Sequence, residues 1–449
     1  MRAVSRSAWK YLAAATAIFA SAAILCGGSF AAIESELASQ LCHKSCDTKK
    51  YEWKEAPSLL IARSAPAVVV LADGNILVTG GLTAAGPADS TEIFDLASET
   101  WKLGPRMTEK RVGHTATLLE DGTVLIAGGY TGRGATASAE ILNATSFTSL
   151  ALPTSMSFER SGHAAVLLGN GKVLVTGGTD WVRGIWFQAE TYDPAQRTWS
   201  PAGGMSAPRV SLSLQMLSSG SVLAIGGNAD ATSEINDPAK NTWSDVASMN
   251  AKRFYAGVAV LADGKILAAG GLVDGAPIKS SEVYDPSTNS WRSLGNMTTA
   301  RASFSLTRLG SGALLAAGSY STTGTTQSSE LFYPSNSTWA AARSMNVSRG
   351  AQGYAVKSSS DETFVISGKS EDSFTASVEV FAPIVKEKPR HCKPIDLVLL
   401  VLAAADDFLG HSEKGLKKCQ TAYEAAGLYD SAERYGSTIT LAVFQIPVR

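Results

Sequence analysis

Short apolar runs recur through the middle of the chain, each broken once by a polar turn and closed by a pair of small residues. The pairs are Gly80-Gly81, Gly128-Gly129, Gly177-Gly178, Gly226-Gly227 and Gly270-Gly271, then Gly318-Ser319 and Ser367-Gly368. Their spacings are 48, 49, 49, 44, 48 and 49 residues, a self-similarity that makes the middle of the chain a repeat array. Within each unit the run meets a turn such as Asp73-Gly74, Asp121-Gly122, Asn170-Gly171 or Asp263-Gly264. These dipeptides accept positive φ, so the pattern predicts two-residue hairpin turns. A second run then stops at the small pair, where backbones approach closely. Four short strands per unit follow: the two runs, a Glu-x-aromatic segment, and a segment marked by tryptophan.

Other residues hold phase with the small pairs. Arg63, Arg111, Arg160, Arg209, Arg253 and Arg301 stand 17 residues ahead of the first six, and Arg349 stands 18 ahead of the seventh. Glu92, Glu140, Glu190, Glu234, Glu282, Glu330 and Glu379 follow them. Trp101, Trp199, Trp243, Trp291 and Trp339 lie nine residues beyond their glutamates, while the second unit has Ser149 there and Phe147 nearby. Apolar run, glycine pair, spaced tyrosine and spaced tryptophan resemble the Kelch repeat, over about residues 51–383. The resemblance implies an all-β fold, a seven-bladed β-propeller of four-stranded blades. The last unit lacks its tryptophan, and Trp53 stands unclaimed ten residues ahead of Arg63. The N-terminal segment is therefore expected to supply the outer strand of the last blade, closing the ring and removing its open edges.

Composition bounds the function. The chain has 449 residues, 45% of them hydrophobic and 18% charged, with a net charge of -1. That balance gives no reason to expect nucleic acid or an anionic membrane as a partner. Arg2, Arg6 and Lys10, an apolar run over residues 11–26, and Ser29-Phe30-Ala31 read as a signal peptide over residues 1–31, cut after Ala31. The alternative is a retained membrane anchor, since residues 12–33 are long enough to span. The expected location is secreted, periplasmic or cell-surface. Cys42, Cys46, Cys392 and Cys419 flank the repeats, and in an exported chain they are disulfide candidates whose pairing is open. Zinc is the competing reading of the Cys42-His43-x-x-Cys46 and His391-Cys392 clusters, and an oxidising compartment argues against it. Residues 32–50 form a cysteine-containing lead-in. Residues 384–449 read as a small α/β or helical subdomain, with an apolar run at 395–405 too short to span a membrane.

Candidate chemistry gathers on one face, where first strands begin, second strands end and third strands begin. Two roles compete for the arginines. In one, each pairs with a repeat glutamate and backbone carbonyls and stitches the blades. In the other, Arg111, Arg160, Arg209, Arg253 and Arg301 bind an anionic ligand at the channel mouth, as the arginines of a Kelch adaptor hold an acidic peptide. The third unit's loop adds Trp181, Arg183 and Trp186 off the repeat positions, suited to a peptide, sugar or aromatic anchor or else packed on a neighbouring loop. Tyr130 with Arg133, and Tyr320, occupy matching loops.

Catalytic signals are sparse. His114 and His163 each follow a repeat arginine by three residues, a structural position. The resemblance extends to copper galactose oxidase, whose site needs two histidines, two tyrosines and a cysteine, but no cysteine falls among these repeats. Nucleophile-elbow, phosphate-loop and His-Glu-x-x-His motifs are missing from the sequence. The expectation is a binding module for a protein, peptide or glycan, with no cofactor and no metal. A carbohydrate-active enzyme with its site at the channel mouth and a structural surface protein are the alternatives.

Overall fold

The computed structural model describes residues 51–350, 354–358, 361–370 and 373–384. The residues read as a signal peptide, the four candidate disulfide cysteines and the stretch read as a C-terminal subdomain lie outside the described residues. Residues Tyr51–Pro383 form one compact unit of seven four-stranded antiparallel sheets. We letter the strands of each blade a to d. Blade 1 is Ala67–Val70, Ile76–Thr79, Thr91–Asp95 and Thr100–Leu103. Blade 7 is Tyr354–Lys357, Thr363–Ile366 and Val378–Pro383, with Tyr51–Ala56 as its strand d. The a strands touch in sequence around a ring, and the last, Tyr354–Lys357, touches the first, Ala67–Val70. Strand a is therefore innermost, and residues 51–383 form a closed seven-bladed propeller.

The b strands explain the sheet stacking. Ile76–Thr79, Val173–Thr176, Val222–Ile225 and Ile266–Ala269 are apolar, save for the closing threonine of the first two, and buried on both faces. Each sits in the middle of a blade with a neighbouring blade on either side, so alternation is lost and continuous hydrophobic runs result. Ring closure follows the expectation that the N-terminal segment supplies the outer strand of the last blade. Trp53 lies opposite Phe381, and Tyr51 stacks on Phe381 with ring centroids 5.1 Å apart. The Trp53 indole donates to the Arg343 carbonyl of blade 6 at 2.7 Å.

The a–b turns differ from the two-residue turns expected. Leu71 N–H bonds to Asn75 O, and Gly74 N–H bonds to Leu71 O. Gly74 alone takes positive φ, at 89°. This is a type I turn followed by a left-handed glycine bulge, in which the aspartate keeps ordinary geometry. Asp73 accepts the Asn75 N–H instead, at 3.0 Å.

Candidate functional site

The repeat arginines and glutamates build the frame of the site. Every one of the seven guanidiniums is closed to solvent. Each pairs with the glutamate of its own blade, as Arg63 with Glu92 at 2.7 Å and Arg253 with Glu282 at 2.7 Å. Each also donates to the carbonyl ending strand b, as Arg111 does to Gly128 O at 2.7 Å. Burial pushes the Arg253 guanidinium below its ordinary pKa, and Glu282 pulls it back. The second carboxylate oxygen clamps the crossover arriving from the preceding blade: Glu140 accepts Thr108 N–H at 2.6 Å and Glu190 accepts Ser157 N–H at 2.7 Å.

Blades are stitched by backbone rather than by the guanidiniums. The second residue of each small pair donates to the carbonyl of the next blade's arginine, from Gly81 to Arg111 at 2.8 Å round to Gly368 and Arg63 at 3.1 Å. A Cβ on Gly177 would lie 2.5 Å from Arg209 O, so the close approach demands glycine there. Arg111, Arg160, Arg209, Arg253 and Arg301, read from sequence as candidate binders, thus lie inside the blades. Their terminal guanidinium nitrogens bond to glutamates, carbonyls and hydroxyls within the blade, and burial leaves them off any ligand-accessible surface.

His114 and His163 sit between blades. His114 Nε2 meets Thr79 Oγ1 of blade 1 at 2.8 Å, and His163 Nε2 meets Thr115 Oγ1 of blade 2 at 3.0 Å. Burial, then the Arg111 and Arg63 charges, lower the pKa of His114 to about 3. Burial and Arg160 likewise hold His163 well below the ordinary value. Both rings are neutral and fully packed.

The blade 3 loop, residues 179–187, is different. Trp181 is 68% exposed and Val182 90%, with Ile185 and Phe187 also open to solvent. Trp181 takes φ +66°, a left-handed conformation unusual for a bulky side chain. The turn beneath is tightly held. Asp180, buried, accepts N–H bonds from Val182, Arg183 and Gly184 at 3.0, 2.6 and 3.2 Å. Burial works against its ionisation, but these donors and Arg183 hold the carboxyl below the usual range. Thr179 Oγ1 accepts Trp181 N–H at 3.0 Å and donates to Gly184 O at 2.8 Å.

The three sequence candidates in this loop part ways. Trp181 points outward with Arg183, which lies 3.7 Å from both Glu159 and Asp180. Trp186 packs instead: its ring lies 4.9 Å from Phe158, and its indole donates to Glu159 O at 2.8 Å. Tyr130 is half-buried, whereas Tyr320 stays exposed. The apolar neighbours Val182, Ile185 and Phe187 carry no signal in the sequence, because a short apolar loop segment has no period to mark it.

The Kelch motif matches residues 63–108 and 253–298, which run from the repeat arginines into the crossovers after blades 1 and 5. Residues 51–383 form a seven-bladed β-propeller that carries Kelch motifs. No curated protein matches it. Among solved structures, the propeller is similar to a novel fungal alcohol oxidase of the AA5 family in complex with copper. Identity is 18% and TM-score 0.61, over 74% of this chain and 76% of that one. It is also similar to YjhT, with 14% identity and TM-score 0.50, over 64% of this chain and 99% of that one. At these identities the likeness concerns the fold. The propeller here does not fit a copper site of the galactose oxidase type. Residues 51–383 contain no cysteine, both histidine Nε2 atoms are engaged by threonines, and no cluster of three His, Cys, Asp or Glu gathers among the described residues.

Proposed function

We propose that this propeller is a non-enzymatic binding module. It captures a protein, peptide or glycan on the face where the a strands begin, through the blade 3 loop. One observation carries the reading: Trp181 stands exposed in a left-handed conformation on a turn pinned by Asp180 and Thr179. Holding a bulky residue there costs roughly 1–2 kcal/mol. The same turn position is left-handed at Gly132 and Asp274, so the turn sets the conformation, and what sets blade 3 apart is the exposed tryptophan placed there. A rigid exposed tryptophan flanked by apolar side chains and one arginine has the make-up of an interface hot spot. The basic and apolar N-terminus supports export, which would place the ligand outside the cytoplasm.

An array of peptides and glycans probed with the purified chain tests this. Trp181→Ala is expected to weaken any captured ligand at least tenfold, while Arg197→Ala, on the opposite face, leaves it unchanged. Ligands that bind equally to the Trp181→Ala chain would refute the reading.

A further inference from the structure

The same face carries a collar of short hairpins between strands b and c, and the collar is broken once. In six blades the residue after the repeat arginine pairs with the outgoing limb of the hairpin, as Ser64 with Leu82 and Phe254 with Leu272. A residue on the return limb then accepts the N–H of the next blade's arginine. Ala88 accepts from Arg111 at 2.9 Å, Thr136 from Arg160 at 3.2 Å and Trp186 from Arg209 at 3.1 Å. Ile278 accepts from Arg301 at 3.1 Å, Thr326 from Arg349 at 3.1 Å and Thr375 from Arg63 at 3.4 Å.

Blade 4 has no such hairpin. Six residues, 228–233, separate its glycine pair from Glu234, against ten at 82–91 and eleven at 179–189. Residues 228–230 form a bend, and Ala229 and Asp230 are exposed. Arg253 N–H, the counterpart of the six donors above, has no acceptor among the described residues. At the base of the same loop, Asn228 Oδ1 and Ser233 Oγ are buried without partners.

We propose that an extended peptide segment of a partner completes the collar at blade 4, taking the place that six blades fill with their own hairpin limb. A buried amide without an acceptor costs about as much as a lost hydrogen bond, and an interrupted β collar is a template for strand addition. The six native limbs describe the occupant. The residue accepting the arginine N–H is always uncharged: Ala88, Thr136, Trp186, Ile278, Thr326 or Thr375. The ligand is therefore a strand-forming peptide, uncharged at its central residue. Arg253 is itself closed to solvent, so the bend at 228–230 moves aside as the peptide seats. A sugar or a lipid headgroup lacks the alternating N–H and C=O groups that this place takes in every other blade. The inference rests on the binding-module reading and names its ligand class.

The test begins with nonapeptides selected from a phage-displayed library on the full chain, their affinities measured by fluorescence polarisation. In a graft variant, residues 228–232 are replaced by the blade 5 hairpin segment, residues 272–280, which fills the gap. The graft is expected to weaken the selected peptides at least tenfold, as is N-methylation of the peptide's central amide. Hydrogen exchange of the 250–256 segment in the ungrafted chain should slow on binding, a readout independent of whether the graft folds. Peptides that bind the graft equally, no slowing at 250–256, or no peptides selected would overturn the proposal. Loss with Trp181→Ala but not with the graft keeps the binding face and overturns the gap. Loss with the graft alone supports the gap and removes Trp181 from the account.

Discussion

Glu282 and Arg253 meet at 2.7 Å with both side chains shut away from water, and six other blades repeat the pair. Removing one partner strands the other charge in a low-dielectric interior. Glu282→Gln should therefore lower unfolding free energy by about 3 kcal/mol in urea titrations, and Arg253→Met with Glu282→Leu should recover much of it. The histidines give a second residue-scale test. Unfolded His114 titrates near 6.5, but in the propeller its pKa is about 3, so the unfolded chain binds the extra proton between those values. Stability therefore rises with pH across that window and falls as the solution is acidified below about 6.5. At pH 5 His114 alone should cost about 2 kcal/mol relative to pH 8. The same position holds Leu212 in blade 4 and Phe304 in blade 6, so His114→Leu should flatten this pH dependence in denaturant midpoints. The phase of these residues is plain in the sequence. Their burial is not, because an arginine and a glutamate 29 residues apart read alike as a structural pair or as two ligand contacts.

At the scale of elements, the glycine pair is where strand b meets the next blade. Gly177→Ala drives a Cβ to 2.5 Å from Arg209 O and should destabilise by about 2 kcal/mol or more, read as a shift in thermal midpoint. Ser367 stands at the matching position of blade 7 with φ +61°, a conformation that glycine adopts freely. Ser367→Gly should accordingly stabilise by about 1 kcal/mol in the same assay. Strand order and the buried b strands are legible because apolar runs and turn dipeptides recur with the repeat. The a–b turn type is not, since Asp-Gly serves both a two-residue turn and a type I turn with a glycine bulge. The short blade 4 loop is visible as the 44-residue step between Gly226 and Gly270. That the step opens a β collar is hidden, because the collar consists of single-residue bridges with no side-chain alternation to betray them.

For the whole molecule, closure depends on a strand that comes from the other end of the propeller's sequence. Trp53 is legible as a displaced member of the repeat, and its indole reaches blade 6 while Tyr51 stacks on Phe381. The face carrying Trp181 and the blade 4 gap exists in this form only if the ring closes in sevenfold order, so closure underlies the functional reading as well. Hydrogen exchange measured by mass spectrometry on the segment Tyr51–Ala56 addresses it directly. These amides should exchange as slowly as those of Val378–Pro383, their partner strand, and be released with them in a single unfolding event. Fast exchange of Tyr51–Ala56 while Val378–Pro383 stays protected would contradict the closed ring.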